Sequence, residues 1–103
     1  MVRCSGCGKE FDKEGEGRRV ASISGSIMGD EYTESYFYCG PCGVYTVLIV
    51  HDCFLDEESV FCRGPVTKAE GDAKIALINR CSEPWDKKCR CDAHREYFDN
   101  QLD

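Results

Sequence analysis

The stretches Cys4-Ser5-Gly6-Cys7-Gly8 and Cys39-Gly40-Pro41-Cys42-Gly43 share one pattern: two cysteines separated by two residues, then a glycine. Thiols so spaced come to the same side of a tight turn, whose backbone N–H groups stabilise thiolates by charge-assisted hydrogen bonds. A glycine after the second cysteine suits the positive φ such a turn demands. Two turns of this kind supply four sulfurs, the number tetrahedral zinc requires. A second set, Cys81, Cys89, Cys91 and His94, has the spacing C-x7-C-x-C-x2-H and again offers four donors. Cys62 is the rival to His94 there, and would make that set all sulfur. Both sets therefore predict cation coordination, with two zinc ions for the chain.

Other chemistries compete for the same residues. Cys39-Gly40-Pro41-Cys42 is the tetrapeptide that thioredoxins use, and it keeps a thiol–disulfide oxidoreductase as an alternative. The resemblance is confined to those four residues. In thioredoxins the pair opens a helix whose dipole stabilises the attacking thiolate, whereas here it runs into Val44-Tyr45-Thr46-Val47-Leu48-Ile49-Val50, which is strand material. The single tryptophan, Trp85, lies far downstream of the motif rather than just before it. Four cysteines can also hold an iron–sulfur cluster, so an electron-transfer subunit is a further alternative; zinc is preferred because a closed four-sulfur site needs no redox chemistry. A cysteine nucleophile could be drawn from Cys53 or Cys62 with His51, but no nucleophile elbow, oxyanion loop or phosphate-binding glycine motif accompanies it. The expectation is a protein that is not an enzyme, with Cys53 packed as a small apolar side chain.

Nine cysteines in 103 residues is far above ordinary usage. No apolar run approaches the ~20 residues a membrane-spanning helix needs, and Met1-Val2-Arg3-Cys4 shows no apolar signal region, so a cytoplasmic setting is expected, with no membrane contact. In a reducing compartment such cysteines read as metal ligands rather than disulfides. The formal net charge is −6. A four-thiolate zinc contributes −2 and a three-thiolate, one-histidine zinc −1, taking the chain to about −9, which counts against nucleic acid as a partner. Arg18-Arg19 and Lys87-Lys88-Cys89-Arg90 are expected to balance thiolate charge, and the acidic residues Asp30, Glu31, Glu34 and Asp56-Glu57-Glu58 to sit in solvated turns.

The elements that must position these donors follow from the pattern between them. The 31 residues separating the first two cysteine pairs hold a weakly alternating segment and an aromatic one, Tyr32 to Tyr38, joined by Met28-Gly29-Asp30. This predicts an antiparallel hairpin from about 18 to 38 that returns the second pair beside the first. A strand from Val44 to Phe54, a turn at Leu55 to Ser59 and a short edge strand at Val60 to Gly64 follow. Thr67 and Glu70 form a capping box for a helix from about 68 to 80, with Ile75, Leu77 and Ile78 as its apolar stripe and Gly71 weakening its first turns. Asp92 would cap a short terminal helix carrying His94.

On these residues the region from Cys4 to about Val50 resembles a zinc ribbon with an enlarged hairpin, and the last 23 residues resemble a second zinc-binding element. The resemblance implies an α+β fold: a small zinc-ribbon-like antiparallel sheet with a long hairpin, one packed helix, then a short C-terminal helix. A length of 103 residues predicts a single domain, with a β part over 1–62 and a helical part over 63–103. The resemblance also implies a small intracellular zinc-binding protein that acts through protein contact, as an accessory subunit or adaptor. Tyr32, Tyr36 and Tyr38 are the candidate contact surface, since tyrosine is enriched in such patches, the alternative being that these rings pack on the sheet. The sequence leaves the oligomeric state open.

Overall fold

The structure, a computed structural model, describes residues 3–8, 19–52 and 58–102. The readings made for Arg18, for Cys53, and for the turn residues Leu55, Asp56 and Glu57 lie outside these residues. The elements run β1 (Arg19–Ile27), β2 (Asp30–Cys39), β3 (Val44–Asp52), β4 (Ser59–Thr67), α1 (Lys68–Arg80) and α2 (Asp92–Tyr97). The strands form one antiparallel sheet in sequence order, so the fold is α+β as expected.

The β1–β2 connection is the two residues Met28 and Gly29, with φ of 52° and 85°. Positive φ at both positions gives the twist that suits a tight hairpin. Alternation then sorts the side chains. In β1, Ala21, Ile23 and Ile27 pack with the core, while Ser22 and Ser24 bond across the other face to Ser35 and Thr33. In β2, Tyr36 is 1% exposed and belongs to the core with Val47, its partner in β3, and with Tyr45 and Ile49. Ile78 of α1 and Tyr97 and Phe98 of the C-terminal segment cover this face.

Several expectations change. Tyr36 is buried, so the proposed tyrosine contact surface is overturned there: Tyr38 packs on Tyr45 and Tyr32 stacks on His51. Asp30, Glu31 and Glu34 lie on β2 rather than in a solvated turn, and face His51, Lys87 and the pair Arg63 and Tyr97 respectively. The edge strand β4 is nine residues long, not short, with a bulge at Gly64 and Pro65 opposite Thr46.

Helix α1 begins where expected. The Thr67 hydroxyl accepts from the Glu70 N–H at 3.2 Å, and the Cys81 N–H closes the far end on the Ile78 carbonyl at 3.1 Å. Gly71 has a packing role rather than a merely weakening one. It is buried, and a Cβ built there would come within 2.0 Å of the Tyr45 ring, so only glycine lets the helix lie this close to β3. No helix among the described residues is long and apolar enough to cross a membrane.

Candidate metal centres

The first centre is assembled by a turn and a hairpin. Cys4 and Cys7 belong to a turn closed by the Gly8 N–H on the Cys4 carbonyl at 2.8 Å; Cys39 ends β2 and Cys42 lies in the turn to β3, closed identically by the Gly43 N–H on the Cys39 carbonyl. Gly8 and Gly43 have φ of 77° and 65°, the conformation the sequence pattern demanded. The Ser5 N–H donates to the buried Thr46 hydroxyl at 2.8 Å, which fixes the first turn to β3. Sulfurs from residues 32 positions apart, Cys7 and Cys39, then lie 3.9 Å from each other.

The second centre joins the two helices. Cys81 follows α1, Cys89 lies in the connecting loop, and Cys91 rather than Asp92 is the N-cap of α2. Sulfur replaces the expected carboxylate: the Cys91 Sγ accepts from the His94 N–H at 3.4 Å. His94 is fully buried in the first turn of α2, with Nδ1 3.3 Å from the Cys81 Sγ. Its Nε2 donates to the Ser24 carbonyl at 2.5 Å. That bond places the proton on Nε2 and leaves the Nδ1 lone pair facing the sulfurs, the usual way a protein fixes the tautomer of a ligating histidine.

All four donor atoms of each set lie within 4.8 Å of one another. A tetrahedral zinc with Zn–S of about 2.3 Å and Zn–N of about 2.05 Å sets S···S edges of about 3.8 Å and S···N edges of about 3.6 Å. The Cys7–Cys39, Cys81–Cys89 and Cys81–His94 separations of 3.9, 3.6 and 3.3 Å match those edges, so the residues fit such an ion. The structure brings together the eight donors named from the sequence. Cys62, the alternative to His94, is not among them: it is exposed on β4 opposite Leu48. It also points to the sheet face opposite His51, by strand alternation.

The electrostatics suit a cation. Burial pushes the Cys4 thiol up, but N–H groups of Cys7 and Gly6 and the thiols of Cys39 and Cys7 outweigh it and bring the value to about 7. Cys42 is held up at about 12, first by its thiol neighbours Cys7 and Cys39. Burial first, with Cys91 and Cys89 adding, pushes Cys81 to about 12, while the His94 N–H lowers Cys91. Sulfurs packed this closely cannot all ionise unless a positive charge among them offsets the repulsion.

Two features are absent from the sequence-based reading. Trp85, in the loop between Cys81 and Cys89, is 71% exposed beside a groove of about 480 Å³ lined by Ser24, Glu31, Thr33 and Lys87. A buried chain of hydrogen bonds runs from the Tyr36 hydroxyl to that of Tyr97 at 2.6 Å, and the Tyr97 hydroxyl donates to the Glu34 carboxylate at 2.6 Å. Only the second had a local signal, the shared parity of Glu34 and Tyr36. No family model, curated protein or solved structure matches the chain.

Proposed function

We propose that this chain is a small zinc-binding protein whose two metal ions are structural, and that it works through protein contact as an accessory subunit or adaptor rather than as an enzyme. The observation that carries the reading is the convergence of four protein donors at each centre. Four protein ligands complete a tetrahedron and leave no open position for substrate, the arrangement of structural rather than catalytic zinc. Mutual proximity of all four sulfurs in the first set supports one ion rather than an iron–sulfur cluster, which spreads its cysteines around a larger body. The three-sulfur, one-nitrogen donor set of the second favours zinc as well.

Each ion is a staple. The first ties the N-terminal turn to the β2–β3 turn, and the second ties α1, the loop and α2 to the edge of β1 through His94 and Ser24. Structural zinc contributes about 10–16 kcal/mol of apparent binding energy to folding in small domains. Contact is favoured by Trp85, since exposed tryptophan beside a groove is the residue type that dominates interface energetics. Titration with a strong chelator tests the reading: release of two ions is expected to abolish the near-ultraviolet circular dichroism of the buried tyrosines. A protein that keeps that signal after complete metal removal contradicts it. For the contact itself, Trp85→Ala is expected to release the partner from the natively isolated complex with metal content unchanged, and a chain isolated alone contradicts it.

A further inference from the structure

The two edges of the sheet are treated differently. On β1, the N–H of Ser24 donates to the Pro84 carbonyl at 2.8 Å and its carbonyl accepts from His94, so the second metal centre occupies that edge. On β4, residues 59–63 are exposed throughout, with Val60 56% and Phe61 49% exposed. A strand edge that carries apolar side chains is a template for another strand, and natural edges are usually blunted by lysine, proline or a bulge. Here the bulge and Pro65 come only after Arg63, whose guanidinium is drawn over the sheet to Glu34 at 3.6 Å.

We infer that residues 59–63 pair antiparallel with the same residues of a second copy, about a two-fold axis at Phe61, joining two four-stranded sheets into one of eight strands. The sequence of the segment selects both the occupant and the register. A two-fold at Phe61 sets Phe61 against the partner's Phe61 on one face and Val60 against the partner's Cys62 on the other. Aromatic and apolar cross-strand pairs are the ones that stabilise a sheet. It also sets Arg63 against the partner's Ser59, so the two guanidinium groups, each drawn to Glu34 of its own sheet, stay apart. An axis at Cys62 would oppose Val60 to the partner's Gly64 and Phe61 to the partner's Arg63, which buries less apolar surface. An axis at Val60 would oppose Phe61 to the partner's Ser59. Only the Phe61 register is self-complementary on both faces, as an isologous interface requires.

The test is sedimentation equilibrium of the full, metal-loaded chain in reducing buffer over a range of concentrations, with hydrogen exchange of residues 59–63 recorded alongside. A reversible dimer is expected, with amide protection at 59–63 rising with concentration. Phe61→Lys and Val60→Lys, which place ammonium groups in the two faces of the interface, should each weaken it by about tenfold or more, as substitutions at a buried interface centre do. Cys62→Ser, which keeps the size of the side chain opposite Val60, should weaken it far less than either lysine substitution. Three results overturn the inference: a monomer at every concentration, a dimer indifferent to both lysine substitutions, or a dimer that reducing agent abolishes. Hydrogen exchange of the unsubstituted chain decides the matter even if a lysine variant fails to fold.

Discussion

At Gly71, helix propensity and packing argue in opposite directions. Alanine gains about 1 kcal/mol over glycine in a helix interior. Its Cβ would, however, meet the Tyr45 ring at 2.0 Å, and overpacking a filled contact costs about 1–3 kcal/mol. Gly71→Ala is therefore expected to lower the urea midpoint of the metal-loaded protein; a raised midpoint would show that Tyr45 gives way freely. Tyr97→Phe tests the buried phenol chain. It leaves Glu34, whose side chain is 16% exposed, without its closest donor, and a cost of about 1–3 kcal/mol is expected from the same denaturation curves. The difference in legibility between residues has a physical cause. Ligand spacing, the Thr67 cap and the glycines after Cys7 and Cys42 are local chemistry, written within a few positions. The role of Gly71 depends on Tyr45, and that of Ser24 on His94, 70 positions away, so neither can be read from its own neighbourhood.

At the scale of elements, the hairpin, β3, α1 and the short terminal helix were all legible, because turn chemistry, β-branched runs and a capping box act locally. The length of β4 was not, since its pairing with β3 overrides a composition containing Gly64 and Pro65. Nor were the sites of the acidic residues of β2, whose partners come from β3, β4, α2 and the Cys81–Cys89 loop. The sheet and the C-terminal segment meet through phenols, and this gives the packing a pH signature. Burial first, with Asp72 adding, raises Tyr45 from 10.0 to about 12; burial also raises Tyr36 and Tyr97. A phenol with a raised folded value binds its proton more tightly in the folded state. Its contribution is complete below the unfolded value of 10.0 and is lost as pH rises toward and through about 12. Stability is thus expected to fall above about pH 10, with tyrosinate absorbance lagging that of the unfolded chain. Ionisation of all five tyrosines at the free value in folded protein would contradict this.

Over the whole molecule, eight buried residues form the core cluster among the described residues, and the two centres sit at its margin, His94 stacking on Phe98 of that cluster. One holds the N-terminal turn beyond the end of the sheet, the other the loop and short helix along an edge. Small domains of this kind commonly depend on metal to fold. The central claim is that each four-donor set holds one structural zinc ion. It is tested most directly by elemental analysis, with a visible spectrum, of anaerobically prepared protein and its single-site variants. The account predicts two zinc ions and no visible absorption for the unsubstituted chain, one ion for Cys4→Ser or for His94→Ala, and two for Cys62→Ser. Fewer than two ions in the unsubstituted chain, the broad brown absorption of an iron–sulfur cluster, or an ion lost with Cys62 would contradict it.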